Sequence, residues 1–242
     1  MASLNKKLSE LSVFFPFWNE EKNIEKVTEN ARRILPDVAD KFEIILIDDG
    51  STDRTLEKAQ ELAAKYKEIR VISHQPNRGY GAALRSGFEH AKYEYIVFTD
   101  GDLQFDFNEV KKFIDEIEKA DIVIGFRKKR RDRKLFKRLL LMNMLKMWDF
   151  ILFGFYFRDI DCGFKMFTKS SLEKIGPFRS EGAMITTEIL AKASMRKLTI
   201  VQVGVEHYPR EHGVQTGANL FVIIRAILES LTLFLDIKSK RF

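Results

Sequence analysis

One cysteine, five prolines and no long apolar run free of charge mark what this 242-residue chain does without. A lone Cys162 excludes an internal disulfide framework and fits a reducing compartment, which makes the cytoplasm the expected setting. The opening "MASLNKKLSE" is not followed by the apolar stretch of a signal peptide. No uncharged apolar run approaches the roughly 18 residues that a spanning helix needs, so neither secretion nor insertion is expected. Three chemistries lack their signatures as well. There is no GxxxxGK[ST] for a Walker-type ATPase and no GxSxG for a hydrolase. The glycines of "GYGAALRSG" (79 to 87) put Leu84 where the dinucleotide fingerprint needs its third glycine, and they follow the wrong strand.

What is present is hydrophobic enough, at 45%, to bury one large α/β core. The formal charge of +6 is unevenly placed, because "RKKRRDRKLFKR" (127 to 138) alone carries nine basic residues and one acid. Such a run is either a solvated loop or an anion site for ligand phosphates or an acidic membrane surface; no nucleic-acid motif accompanies it, and no nucleic-acid partner is expected.

Apolar runs rich in β-branched and aromatic residues occur at 11–17, 42–48, 69–73, 95–100 and 121–126. Between them, helical periodicity covers roughly 20–34, 53–66, 79–92 and 108–119. This alternation predicts a mostly parallel central sheet with helices on both faces, with ligands bound at the carboxyl ends of the strands. The polar clusters fall at those ends: "NEE" after the first strand, "DDGSTD" after the second, "DGD" after the fourth. Beyond 127 the alternation stops, and a helix at 137–153, a short strand in "DCGFKMF", a helix near 184–196, a strand at 198–208 and a helix at 218–236 are expected. The first and last of these are apolar around most of their circumference, which calls for a second subunit, the sheet or a membrane interface as partner.

Asp100 and Asp102, two carboxylates separated by Gly101 at a strand end, repel each other unless a cation compensates them. Taken in order, "PFWNEE", "IDDGSTDRT", "NRGYGAALRSG" and "TDGDLQ" resemble glycosyltransferase family 2 with its GT-A fold, a Rossmann-like α/β architecture. "GFR" (125 to 127) and "DIDCGFKMF" (159 to 167) narrow the resemblance to enzymes similar to dolichyl-phosphate glucose and mannose synthases.

That resemblance implies a set of roles. Pro16, Trp18, Glu20, Asp48 or Asp49, and Arg78 would hold the base and ribose of a nucleotide sugar, UDP-glucose before GDP-mannose. Asp100 and Asp102 would hold Mg²⁺ or Mn²⁺ on the donor pyrophosphate, with Gln104 beside them. Arg127, Arg138 and Lys165 would meet the phosphate of a polyprenyl phosphate acceptor. Asp161 is expected in positioning or base work, with Glu188 second. His207 and Arg210 would belong to a lid in "EHYPREHGVQTG" (206 to 217), where two histidines without a completing ligand set do not make a zinc site.

The whole is expected to be one GT-A catalytic domain over 1–242. Residues 127–157 would form a basic, amphipathic region for acceptor and membrane contact, and 206–242 a lid loop and C-terminal amphipathic helix. The expected activity is metal-dependent inverting hexosyl transfer by a peripheral protein at the cytoplasmic membrane face, possible as a homo-oligomer. A family 2 enzyme acting on a hydroxyl of a cell-surface glycan is the alternative, and a non-catalytic nucleotide-sugar-binding assembly subunit the alternative from another class.

Overall fold

Large apolar side chains at every position of "VFFPF" can be buried only in a strand covered on both faces. The computed structural model, which describes residues 7–128, 147–148, 150–210, 229–236 and 239, places them there. The strands are β1 (Leu8–Phe17), β2 (Ala39–Asp48), β3 (Ile69–Ser73), β4 (Tyr95–Thr99), β5 (Ile122–Arg127), β6 (Phe164–Thr168) and β7 (Ile200–Val205). They form one sheet in the order β3-β2-β1-β4-β6-β5-β7. The helices between them are α1 (Ile24–Val38), α2 (Thr55–Lys65), α3 (Tyr80–His90), α4 (Val110–Ile117), α5 (Lys169–Ile175) and α6 (Ile185–Met195).

The two-residue period of the strands divides the core into two layers. Val13, Phe15, Leu46, Val97 and Phe164 pack with α1, α2 and α4 through residues such as Val27, Leu35, Leu62 and Phe113. Phe14, Ile45, Phe98, Ile124 and Phe167 face α3 and α6 through Leu84, Ile185 and Ile189. Phe98 stacks between Phe14 and Phe167, with ring centroids 5.3 and 6.2 Å apart.

Order reverses beside β1, since β2 and β3 extend the sheet one way and β4 the other. Pro16, which has no N–H for a ladder, lies beyond the last β1–β4 pair, Phe14 with Phe98, where these strands part. The crevice of a doubly wound sheet opens at this point. β6 is antiparallel to both β4 and β5, with Thr99 opposite Phe164. Its beginning therefore lies at the carboxyl edge of the others, and the loop 159–163 joins the residues that follow β1, β2, β4, β5 and β7.

Most expected elements are present with shifted ends. α1 starts only at Ile24 because the Glu20 carbonyl accepts from Asn23 and Ile24 in a preceding turn, and it runs on through Pro36. α5 is a helix the periodicity did not indicate; its start is capped by Thr168, whose hydroxyl accepts from the Ser171 N–H at 3.1 Å. Arg138, His212, Gln215 and most of the helices expected at 137–153 and 218–236 lie outside the described residues. Of those helices, 147–148 and 150–153 and 229–236 are helical, and they touch: Trp148 Nε1 donates to Ser230 Oγ at 2.9 Å, and Phe153 meets Phe234 edge-on. Among the described residues, no helix is long and apolar enough to cross a membrane.

α3 crosses β1 at Gly87, where an added Cβ would sit 2.3 Å from the Phe14 ring. Gly87→Ala is expected to lower stability by about 1–3 kcal/mol through overpacking, more than offsetting a helix-propensity gain of up to about 1 kcal/mol. Urea unfolding checks this, and an unchanged or raised midpoint would contradict it.

Candidate active site

β4 delivers Asp100 and Asp102 to the crevice on a turn built for close approach. Gly101 lies against Phe17, whose ring would be 2.3 Å from a Cβ, and Leu103 takes a left-handed conformation with φ 62°. Asp102 Oδ1 accepts the Gln104 N–H at 3.1 Å, closing the turn. Asp100 Oδ1 accepts the Tyr80 hydroxyl at 2.9 Å, and Gly163 presses on its other oxygen so closely that a Cβ there would be 2.0 Å away. Burial and then the charge of Asp102 push the Asp100 carboxyl up to about 7. Asp102 is raised too, chiefly by burial, against the pull of the Gln104 N–H, Arg210 and His207. Burial and the Asp100 charge likewise raise the Tyr80 phenol. Two crowded carboxylates with raised proton affinity fit a hard divalent cation, which takes oxygen ligands and fills its remaining positions from water or a ligand's phosphates.

The wall formed by β1 and β2 is held by its own side chains. Asn19, at φ 55°, accepts the Thr52 N–H at 2.8 Å and donates its own N–H to Ser51 Oγ at 2.9 Å, while the Glu20 N–H reaches Thr55 Oγ1 at 2.8 Å. Trp18 is left exposed, and Pro16 is half-buried. The two acids at the end of β2 separate in role. Asp49 is committed to its own chain: Oδ1 meets His74 Nδ1 at 2.7 Å and the Arg78 N–H at 3.0 Å, and Oδ2 accepts the Gly79 N–H at 2.8 Å. It shapes the turn that presents the exposed Arg78, which corrects its expected role as a base contact. Asp48 receives Ser73 Oγ on Oδ2 at 3.2 Å, and its buried Oδ1 has no protein partner.

The segment after β7 docks on the acidic turn. The Tyr208 N–H donates to the Gln104 carbonyl at 2.9 Å, and Gln104 Nε2 returns a bond to the Tyr208 carbonyl at 3.0 Å. His207 lies edge-on to Phe105. Arg210 pairs with Glu20 through Nη2 and lies 3.6 Å from Asp102 Oδ2 through Nη1. Burial raises the Glu20 carboxyl, opposed by Asn23 and Arg210. Both described members of the expected lid thus sit at the acidic pair.

On the other side, Arg127 grips Asp159 with two parallel bonds, Nε to Oδ2 at 2.6 Å and Nη2 to Oδ1 at 2.8 Å. Burial works against its charge, and Asp159 more than compensates, so its proton is held more firmly than usual. Asp161, two residues on, is exposed.

Two expected site residues are corrected. Lys165 is fully buried and donates to the carbonyls of Ile160 (3.0 Å) and Cys162, out of reach of an acceptor phosphate. Glu188 is buried against Lys192 at 2.8 Å and accepts the N–H groups of Arg179 and Ser180; burial would raise its carboxyl, but these partners hold it below the usual range. It anchors the loop whose Glu181 carbonyl takes the Gly81 N–H at 2.8 Å, and is no base. Sequence reasoning passed over Tyr80, Asn19 and Asp159. The signal for Asp159 was its place in "DIDCGFKMF"; for Tyr80, its place in "NRGYG", a turn aimed at the same edge.

A family model described as Glycosyl transferase family 2 matches residues 12–176. A dolichyl-phosphate beta-glucosyltransferase of Saccharomyces cerevisiae is 31% identical over 220 residues, 81% of this chain and 66% of that protein. A dodecaprenyl-phosphate galacturonate synthase of Rhizobium johnstonii is 28% identical over 239 residues, 96% of this chain and 68% of that one. The chain spans about two thirds of the length of these curated relatives. Glucosyl-3-phosphoglycerate synthase from Mycobacterium tuberculosis, solved with Mn²⁺, uridine diphosphate and glucosyl-3-phosphoglycerate, shares the fold with a TM-score of 0.67 at 23% identity, over 93% of this chain and 80% of that one. The architecture is accordingly GT-A-like.

Because its carboxyl is raised, folded Asp100 binds a proton more readily than it does in the unfolded chain, so its contribution to stability falls as pH rises from 3.8 to about 7. Asp100→Asn is expected to remove that loss and to be more stable than wild type at about pH 8, the two curves converging toward acid. Urea midpoints across this range measure it, and parallel curves for the two proteins would contradict it.

Proposed function

We propose, from the premise that this chain belongs to glycosyl transferase family 2, that it transfers a hexose from a nucleotide sugar to polyprenyl phosphate by a single in-line, inverting displacement. The observation that carries this reading is the compressed acidic pair Asp100 and Asp102 at the sheet's switch point, with a guanidinium, Arg127, fixed across the same edge. Trp18 offers a face for the base, Asp48 Oδ1 an acceptor for a base N–H, and Arg78 a cation at its rim. Asp102, with Asp100 behind it, is the group to hold Mg²⁺ or Mn²⁺. When bound, such an ion supplies positive charge to the departing nucleoside diphosphate.

The chain's own residues account for the rest. Arg210, seated between Glu20 and Asp102, carries the lid's positive charge to the diphosphate position, and Gln104 ties that lid to the turn. Arg127 uses two of its five N–H donors on Asp159, leaving others for an acceptor phosphate. A phosphate oxygen is already ionised at neutral pH, so its attack on the sugar needs no strong base, and Asp161 serves in positioning. UDP-glucose is the favoured donor and GDP-mannose the next; the glucosyl leaning of "CGFK" accords with the yeast relative, a dolichyl-phosphate beta-glucosyltransferase.

A lipid acceptor requires a membrane contact, which a peripheral position at the cytoplasmic face would provide. Met147, Phe150, Ile151, Tyr156 and Leu235 are exposed on or next to the helical segments joined by Trp148 and Ser230, adjoining the basic run in sequence. This pairing of apolar side chains with positive charge suits anionic headgroups.

The test is transfer of radiolabelled sugar from UDP-glucose, and in parallel GDP-mannose, to undecaprenyl phosphate with Mn²⁺ or with EDTA. Metal-dependent label in the organic phase is expected, reduced by at least about 100-fold in Asp102→Ala; no lipid product from either donor would sink the reading. Arg210→Ala is expected to weaken binding of uridine diphosphate by roughly tenfold in calorimetry, as loss of a charge-assisted contact should. Unaltered affinity would remove Arg210 from the donor site.

A further inference from the structure

Lys165 stands where the sequence should carry an apolar residue. It lies in the middle of β6, paired with Phe98 on β4 and Ile124 on β5, on the face that also holds Phe167. It is fully buried. A methionine or leucine would fill this position without the desolvation cost of a cation. Burial lowers the proton affinity of the amine, against the opposing influence of Cys162, Asp159, Asp161 and Asp100.

Its hydrogen bonds show what the cation does there. Nζ donates to the carbonyls of Ile160 and Cys162, the residues on either side of Asp161, and its charge lies 5.8 Å from the Phe98 ring centroid. The same loop has two further ties: Asp159 to Arg127, and the Gly163 carbonyl to the Asp100 N–H at 3.0 Å. Asp161 alone faces solvent, held at its flanks by a side chain that reaches it from inside the core.

We propose that Lys165 is a positioning residue: from within the sheet it clamps the backbone on both sides of Asp161, and so fixes Asp161 relative to Arg127 and Asp100 for the transfer step. This rests on the reading of the site as a glycosyltransferase centre. Lys165 touches no substrate. It acts through the loop, so its loss should slow turnover while leaving donor binding nearly intact.

The experiment compares wild type, Lys165→Met, Asp161→Ala and the double variant, by steady-state kinetics and by amide hydrogen exchange. In Lys165→Met, kcat is expected to fall by on the order of 100-fold, the cost of a misplaced group, with donor KM within about threefold. Amides of 160–163 should exchange at least about tenfold faster while those of β1 and β4 keep their protection. Acting through one loop, the two single losses should not multiply in the double variant. Unchanged loop exchange in Lys165→Met, or fully multiplicative losses, would overturn the proposal. If Lys165→Met does not fold, wild-type NMR decides, since a clamped amine gives a slowly exchanging ¹⁵Nζ signal coupled to the carbonyls of 160 and 162, and its absence refutes the clamp. If wild type transfers sugar from neither donor, the functional reading falls with its kinetic arm, while loop exchange and the amine signal still decide whether the clamp exists.

Discussion

Two carboxylates forced together at the end of a buried strand create the constraint that organises this protein's carboxyl edge. Asp100 and Asp102 repel each other where burial weakens the screening of charge by water, and several neighbours answer that repulsion. Tyr80 donates its hydroxyl to one, the Gln104 N–H turns onto the other, and Arg210 approaches with a full charge. Those neighbours are themselves positioned by the turns after β3, β4 and β7, so three loops far apart in sequence are held in register by one electrostatic problem.

Close backbone approach is the second requirement, and glycine meets it at two points around the pair. Gly101 lets the strand end fold over Phe17, and Gly163 lets the loop before β6 touch the Asp100 carboxylate. A side chain at either position would prise the acids away from the groups that compensate them. The arrangement is therefore steric as much as electrostatic.

The sequence was most informative where local pattern and global fold agree. Alternating strands and helices up to residue 127 are strongly periodic, and the parallel sheet with its acidic strand ends follows from them. α5 escaped notice because seven residues hold too few turns to display a period, although the Thr168 cap was there to be read. Within the site, residue type located the edge but could not distribute the work. Asp48 and Asp49 look alike in sequence, and only the fold shows that Asp49 is consumed by His74 and the 78–79 amides. Lys165 and Glu188 read as candidate site residues because sequence alone cannot reveal that a lysine in a strand finds two carbonyls inside the core, or that a helical glutamate is covered by Lys192 and a loop.

The Arg127–Asp159 bond has a consequence for how such a protein can change. It joins the last residue of β5 to the loop that leads into β6, and so closes off everything between them as an excursion whose two ends are fixed to each other. Closing a longer excursion costs little additional entropy, since that cost grows only with the logarithm of length. Both ends of that excursion are also tied to β7, the Lys128 N–H to the Val205 carbonyl at 3.0 Å and the Arg158 N–H to Gln202 Oε1 at 2.9 Å, so a change of length between them need not disturb strand register.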